Sequence, residues 1–251
     1  MTIQHQQRIL RFDGARNVRD LGGLPTRHGG TTRYGVLFRA DGLSRLSDAD
    51  LGRLDELRLR TVIDLRHDEE RERAPDRLPS GNPPRVFSRG FYPKGTDALF
   101  HAVNIRGVGA DEAAALMCAN YAVMPFEHAA EFSDVMHHII SAGSAPHLFH
   151  CASGKDRTGL LAAFVLLALE VSREAVFEDY LLSNGDWQPI DLFGGKASRE
   201  AIAAVMAAPS SYLESALDAI DARYGSFEEY LSQSLGFGKA ERAALASLML
   251  S

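Results

Sequence analysis

Two cysteines in 251 residues are too few to staple a small secreted scaffold, so an apolar core has to hold this chain together without a disulfide framework. Long apolar runs are missing as well. The longest, Gly159 to Leu169 (GLLAAFVLLAL), falls far short of the roughly 20 residues that cross a bilayer, and it reads as a buried core helix. Positive charge is in short supply: 27 Lys and Arg stand against 33 Asp and Glu, a formal charge of −6. That is the wrong sign for a protein that coats phosphate backbones with a basic face, so nucleic acid is not an expected partner. The first ten residues, MTIQHQQRIL, contain neither the apolar core nor the small-residue cleavage site of a signal peptide, which makes the cytoplasm the expected compartment. Internal repeats and low-complexity tracts are absent too.

What is present is ordinary globular usage, 45% hydrophobic and 24% charged. At about 150 residues per domain the length suits one compact domain over residues 1–251, with a helical extension over about 184–251. The pattern predicts a β-rich start, with a turn at His28 to Gly30 and a strand at Tyr34 to Phe38. Ser47 and Asp50 form a capping box before a helix carrying Leu51, Leu54 and Leu57, and Thr61 to Leu65 (TVIDL) reads as a buried strand. The charged run Arg66 to Arg77 reads as a solvated loop or short helix, and Arg85 to Phe91 as a further strand. Tyr92 to Ala110 is expected to be a long, mobile active-site loop. Helices follow over about Asp111 to Met124 and Pro125 to Ala142, the second stopping at Gly143. Beyond a strand at His147 to His150 the chain looks helical. Boxes Ser211/Glu214 and Ser226/Glu229 mark helix starts there, and Gly225 and Gly236 mark ends.

The chemistry is concentrated in His150 to Gly159, HCASGKDRTG, where a short loop joins a strand to the apolar helix. If that loop curls inward, the N–H groups of Ala152, Ser153, Gly154, Lys155, Asp156 and Arg157, with the positive end of the helix, form a nest for a phosphate. The planar fork of Arg157 can bond two phosphate oxygens at once, which a lysine would do poorly. Cys151 stands at the base of the nest, where the same charges favour a nucleophilic thiolate. Thr158 is expected to donate its hydroxyl to that sulfur, His150 to fix the loop, and Gly159 to let helix and loop pack closely. Lys155 is read as a rim cation suited to substrates that carry further phosphates. A nucleotide-binding Walker loop fails, because Phe149 and Asp156 stand where it requires Gly and Ser or Thr. A zinc site from His137, His138, His147 and His150 is weak, since the first two are adjacent on a helix. No metal and no cofactor is implied. Cys118 lies in a helical stretch without basic neighbours and reads as core.

HCASGKDRTG resembles the H-C-x5-R-[ST] signature of the protein tyrosine phosphatase superfamily. More narrowly, it resembles the bacterial tyrosine phosphatase-like family whose loop reads G-K-D-R-T-G. Asn17 to Gly23 (NVRDLGG), Phe38 to Asp41 (FRAD), Val62 to Arg66 (VIDLR) and Tyr224 to Ser226, with Tyr230 and Leu231, are similar to that family's other landmarks in order, so the likeness spans nearly the whole chain. The resemblance implies an α/β cysteine-phosphatase fold: a mainly parallel four- or five-stranded sheet flanked by helices, with a helical C-terminal part. It also implies metal-independent hydrolysis of phosphate monoesters through a phosphocysteine. Phosphotyrosine heads the expected substrates, with phosphoserine, phosphothreonine and phosphoinositides within the family's range. Partners are accordingly phosphorylated peptides, proteins or phosphoinositides, and some members are exported. The Trp-Pro-Asp acid loop of the larger superfamily has no counterpart upstream. In the narrower family the residue matching Asp156 is the proposed general acid; Asp97 and Asp64 are rivals, Asp64 being more simply a partner of Arg157 or Arg39. A non-hydrolysing phosphate-binding module is the alternative reading, and a thiol-based sulfur transferase comes third. Asn184 to Lys196, with the only tryptophan, Trp187, is a candidate apolar cover for the site.

Overall fold

The computed structural model describes residues 7–141, 145–185 and 193–251. Five strands form one sheet in the order β1-β2-β5-β3-β4: β1 (Arg19–Asp20), β2 (Leu37–Ala40), β3 (Thr61–Asp64), β4 (Arg85–Ser88) and β5 (His147–His150). Only the β1–β2 pair is antiparallel; β2, β5, β3 and β4 run parallel. Alternation along the strands sorts side chains onto two faces. Phe38, Val62 and Leu148 face a smaller core with Leu54 of helix α1 (Asp48–Glu56), while Leu37, Ile63 and Phe149 face the main core. This is the mainly parallel sheet between helices that the resemblance implied.

The main core is completed by α4 (Ala110–Glu127), α5 (Ala129–Ser141), α6 (Asp156–Ala168) and α7 (Arg173–Leu181). The C-terminal α8 (Arg199–Met206), α9 (Ser210–Tyr224), α10 (Phe227–Gln233) and α11 (Lys239–Met249) add Tyr212, Leu213, Tyr230, Phe237 and Met249 to the same cluster. The apolar run after Arg157 is helix α6, buried on nearly every side, which is why it lacks an amphipathic pattern. No helix among the described residues is long and apolar enough to cross a membrane.

Several boundaries differ from the expectation. Tyr92 to Ala110 is not a long loop: it holds α3 (Thr96–His101), continued by a π-helical turn over Ala102–Arg106. Leu99, Ala102 and Val103 are buried, a helical stripe too short to stand out in the sequence. The segment Arg66 to Arg77, by contrast, holds the short solvated helix that was one of its two expected forms, α2 (Asp68–Arg73). The strand expected at Tyr34 starts three residues later, because Gly35 is still in a turn with φ 74° and donates its N–H to Asp20. Pro125 lies inside the last turn of α4 instead of opening the next helix, its carbonyl accepting from the Tyr230 hydroxyl. Ser211 does not cap α9: Pro209 is the extended residue before it, so Ser211 already sits in the first turn. Ser47 and Ser226 cap as expected, and Gly225 ends α9 at φ 80°. Gly143 and Trp187 lie outside the described residues.

His147 on central strand β5 is wholly buried, and that burial, with the nearby His138, holds its imidazole down at about 4. An unfolded histidine titrates near 6.5. Between these values the unfolded chain takes up a proton that the folded chain refuses, so stability is lost as pH falls from about 6.5 to about 4, by up to about 3 kcal/mol. Urea unfolding of His147→Leu should show a shallower loss than the wild type over that interval; equal slopes would remove His147 from the acid sensitivity.

Candidate active site

The parallel strands end at one edge of the sheet, where open α/β folds leave a crevice at their carboxyl ends. Cys151 follows the last residue of central strand β5 and is 1% exposed. Between it and α6 the loop is held from outside by its carbonyls. The Ala152 carbonyl accepts from Gly42 N–H at 3.0 Å, and the Gly154 carbonyl accepts from Asn17 Nδ2 at 2.9 Å and Arg39 Nη2 at 2.8 Å. A trans peptide points its N–H opposite to its C=O, so the N–H groups of Ser153 and Lys155 turn toward the crevice, that of Lys155 making a long 3.4 Å contact with Ser153 Oγ. Gly154 permits this: its φ is +66°, and a Cβ there would lie 2.5 Å from the Ala40 carbonyl oxygen.

Arg39 belongs to a buried cluster behind the loop. Asp179 on α7 receives Arg8, Arg19 at 3.0 Å and Arg39 at 2.7 Å. Burial would push the Asp179 carboxyl up, but the three guanidinium charges hold it far below the usual carboxylate range. Burial and the neighbouring Arg39 push Arg19 the other way, down to about 9.

Arg157, in the first turn of α6, is 8% exposed. Its Nη1 and Nη2 bond Glu70 at 2.6 and 2.7 Å, and Nη1 also bonds the carbonyls of Leu65 and Phe91. Burial opposes charge on both partners. The two bonds and the charges of Glu70 and Cys151 nevertheless raise Arg157 above its ordinary value, and the Arg157 fork with His67 holds Glu70 below its own. Glu70 therefore grips the end-on pair of nitrogens. The side-on edge, Nε with the second Nη2 proton, is free of partners among the described residues, and it is the edge that bonds two oxygens of one phosphate.

His150 fixes the loop from below, with Nδ1 3.2 Å from the Cys151 carbonyl and Nε2 3.1 Å from Asp76. Asp64 pairs with Arg66 at 2.7 Å, not with Arg157 or Arg39 as expected, because Arg66 two residues on folds back over the strand end. Arg66 also reaches Asp76 at 2.8 Å. Asp64, Asp76 and His150 are close enough together to resemble a metal-ligand set, but the Arg66 guanidinium already pairs with both carboxylates. The four-histidine set considered for zinc does not come together among the described residues.

Three further expectations are corrected. Lys155 is not a rim cation: it is 3% exposed, and its ammonium donates to the carbonyls of Val205 and Ala207 at the end of α8. A buried ammonium needs acceptors, and the C-terminal end of a helix supplies them. Thr158 does not reach the sulfur; its buried hydroxyl has no hydrogen-bond partner among the described residues. Gly159 makes room for Tyr180 rather than for the loop, since a Cβ would lie 3.0 Å from that ring.

A cavity of about 650 Å³ opens above the loop, with Ala152, Ser153, Asp156 and Arg157 at its floor. Its walls mix apolar side chains, among them Leu99, Phe100, Met117 and Phe193, with His67, Tyr92 and Asp97. Asp156 Oδ1 accepts from Tyr121 at 2.8 Å and lies 3.3 Å from the Lys155 ammonium. The rival Asp97 sits on exposed α3 and accepts the Tyr92 hydroxyl at 2.7 Å. Phe193 is the described part of the Asn184 to Lys196 segment that reaches this cavity. Sequence reasoning missed Glu70, Asp76, Tyr121 and Asp179. Glu70 and Asp76 were hidden in a charged run, and Tyr121 and Asp179 have no short-range signal at all.

The profile of the tyrosine phosphatase family matches residues 10–251. A Cupriavidus necator protein that carries a provisional tyrosine-protein phosphatase name is 30% identical over 239 residues, covering 90% of this chain and 84% of its own. The triple specificity protein phosphatase PtpB of Mycobacterium tuberculosis is 29% identical over 267 residues, covering 89% of this chain and 92% of its own. A solved structure of P. aeruginosa TpbA in complex with pTyr is more distant, 20% identical over 72% of this chain and 86% of that one, with a TM-score of 0.34. Since the profile match takes in the loop, the sheet and the C-terminal helices alike, the chain belongs to the tyrosine phosphatase family.

Proposed function

We propose that this phosphatase hydrolyses phosphotyrosine through a phosphocysteine formed on Cys151. The observation that carries the reading is the free side-on edge of Arg157 beside inward N–H groups on the floor of the cavity, in the loop that begins at the buried Cys151. The Cys151 thiolate attacks phosphorus in line; the S–P bond forms as the bond to the leaving oxygen breaks. Arg157 and the loop N–H groups stabilise the equatorial oxygens. Asp156 passes its carboxyl proton to the leaving phenol oxygen. The resulting carboxylate then takes a proton from water, whose oxygen displaces the sulfur and releases inorganic phosphate with the thiolate restored.

The cavity supports an aryl phosphate, because its apolar walls suit a ring and leave the phosphate to the polar floor. A multiply phosphorylated phosphoinositide would need a second cation near the reacting group; Lys155 is already bonded to Val205 and Ala207, which leaves the exposed Arg73 on the cavity wall for that role. Because one relative is named for triple specificity, the decisive panel compares phosphotyrosine, phosphoserine and phosphothreonine peptides with phosphoinositides, without added metal.

Cys151→Ser should abolish turnover while retaining phosphate binding by titration calorimetry, and a chelator should leave the wild-type rate unchanged. Residual turnover in that variant, or a strict metal requirement, would end the mechanism.

Glu70→Gln removes the charged anchor of Arg157 and should lower kcat/KM on nitrophenyl phosphate by about 10- to 100-fold. A wild-type value there would mean that the carbonyls of Leu65 and Phe91 hold the guanidinium unaided.

A further inference from the structure

The phenol of Tyr121 is completely buried, yet it borders the catalytic cavity beside Asp156. It donates to Asp156 Oδ1 at 2.8 Å and lies 2.8 Å from the hydroxyl of Tyr180. A phenol has one proton to give. With that of Tyr121 committed to Asp156, the Tyr180 hydroxyl must be the donor between the two tyrosines, so the chain runs from Tyr180 through Tyr121 to the carboxylate.

Both rings are fixed by the fold. Tyr121 lies edge-on to Tyr180 and tilted against Tyr212, while Tyr180 fills the space that Gly159 leaves on α6. Burial, and the negative charge of Asp156 next, push both phenols well above their ordinary values, so they remain neutral donors. The Lys155 ammonium, 3.3 Å from Oδ1, pairs with it by charge while its own hydrogen bonds go to two carbonyls. Oδ1 of Asp156 is thereby held by a phenol proton and a nearby cation, and among the described residues no hydrogen bond reaches Oδ2.

We propose that Tyr121, backed by Tyr180, is a positioning residue for proton transfer: it holds Oδ1 of Asp156, a residue of the cavity floor, so that the unengaged Oδ2 is the oxygen that carries the proton to the leaving group. This rests on the reading of Asp156 as the general acid. The arrangement also serves the second step, where the tyrosines stabilise the carboxylate that must take a proton from water. The groups that face Asp156 are Tyr121 from α4, Tyr180 from α7, Tyr212 from α9, and Lys155 and Arg157 on either side of it in the chain. Lys155 and Arg157 persist when Tyr121 is changed, so the loss of one donor should act on geometry first and on titration second.

Tyr121→Phe keeps the ring and removes only the hydroxyl. It should lower kcat on phenyl phosphate by about tenfold with little change in KM, lose much less on nitrophenyl phosphate, and move the alkaline limb of the kcat profile upward by about one pH unit. Tyr180→Phe should do the same more weakly. The double variant Tyr121→Phe/Asp156→Asn should be no slower than Asp156→Asn, because the phenol acts only through that carboxyl. Wild-type kcat and pH profile in Tyr121→Phe, equal losses on the two substrates, or multiplying losses in the double variant would overturn the assignment. Asp156→Asn alone separates the two readings. If it shows no leaving-group dependence, the acid is another group and both fall; if it does while Tyr121→Phe does not, only the role of Tyr121 falls. Unaltered inhibition by inorganic phosphate in Tyr121→Phe would show that the loop is intact.

Discussion

The site depends on a grip applied to the loop from behind. The carbonyl of Gly154 is held by Asn17 and Arg39, and Arg39 is in turn held by Asp179 together with Arg8 and Arg19. Without donors on that side the loop would have no reason to turn its carbonyls outward and its N–H groups inward. Desolvating these charges is costly, and such a cluster is weak evidence for stability. Its value is geometric: it ties the N-terminal segment, β1, β2 and α7 to one peptide plane of the loop. Three guanidiniums on one carboxylate also leave positive charge behind the loop, which favours an anion in front of it.

A second division of labour runs through Arg157. An arginine has five donors, and the structure spends the end-on pair and the inner Nη1 proton on Glu70 and on two carbonyls. The guanidinium cannot swing away to solvent, and its remaining edge stays aimed. Glu70 comes from α2, a short helix after β3, so aiming Arg157 requires two crossover units of the sheet to be in place. Lys155, next to Asp156 at the end of the loop, has been turned inward to join α8 to the loop. Its charge acts through the protein, on Asp156, instead of on a ligand outside.

The polar inventory around Asp156 follows the same logic. Buried hydroxyls are committed where one proton decides a direction, from Tyr180 to Tyr121 to the carboxylate. Helices α4, α6 and α7 meet at that chain, and Gly159 is small so that Tyr180 can approach. What reads in the sequence as a loop-packing glycine is thus a place for a ring from another helix.

The sequence by itself determined the strand, loop and buried helix around HCASGKDRTG, the capped helix after Ser47, the buried strand at Thr61 and the close of α9 at Gly225. These features rest on interactions within a few residues of chain. It also carried the pairing of a cysteine with an arginine six residues on, because loop curvature and helix direction are local. Only the tertiary structure decided who partners whom among the charges. Asp64 chose Arg66, Arg157 chose Glu70, and Lys155 chose carbonyls 50 and 52 residues away. The physical reason is that a side-chain charge reads distance in space and burial, neither of which has a period along the chain. The same holds for Tyr121 and Asp156, 35 residues apart, whose meeting depends on how α4 packs beside the start of α6.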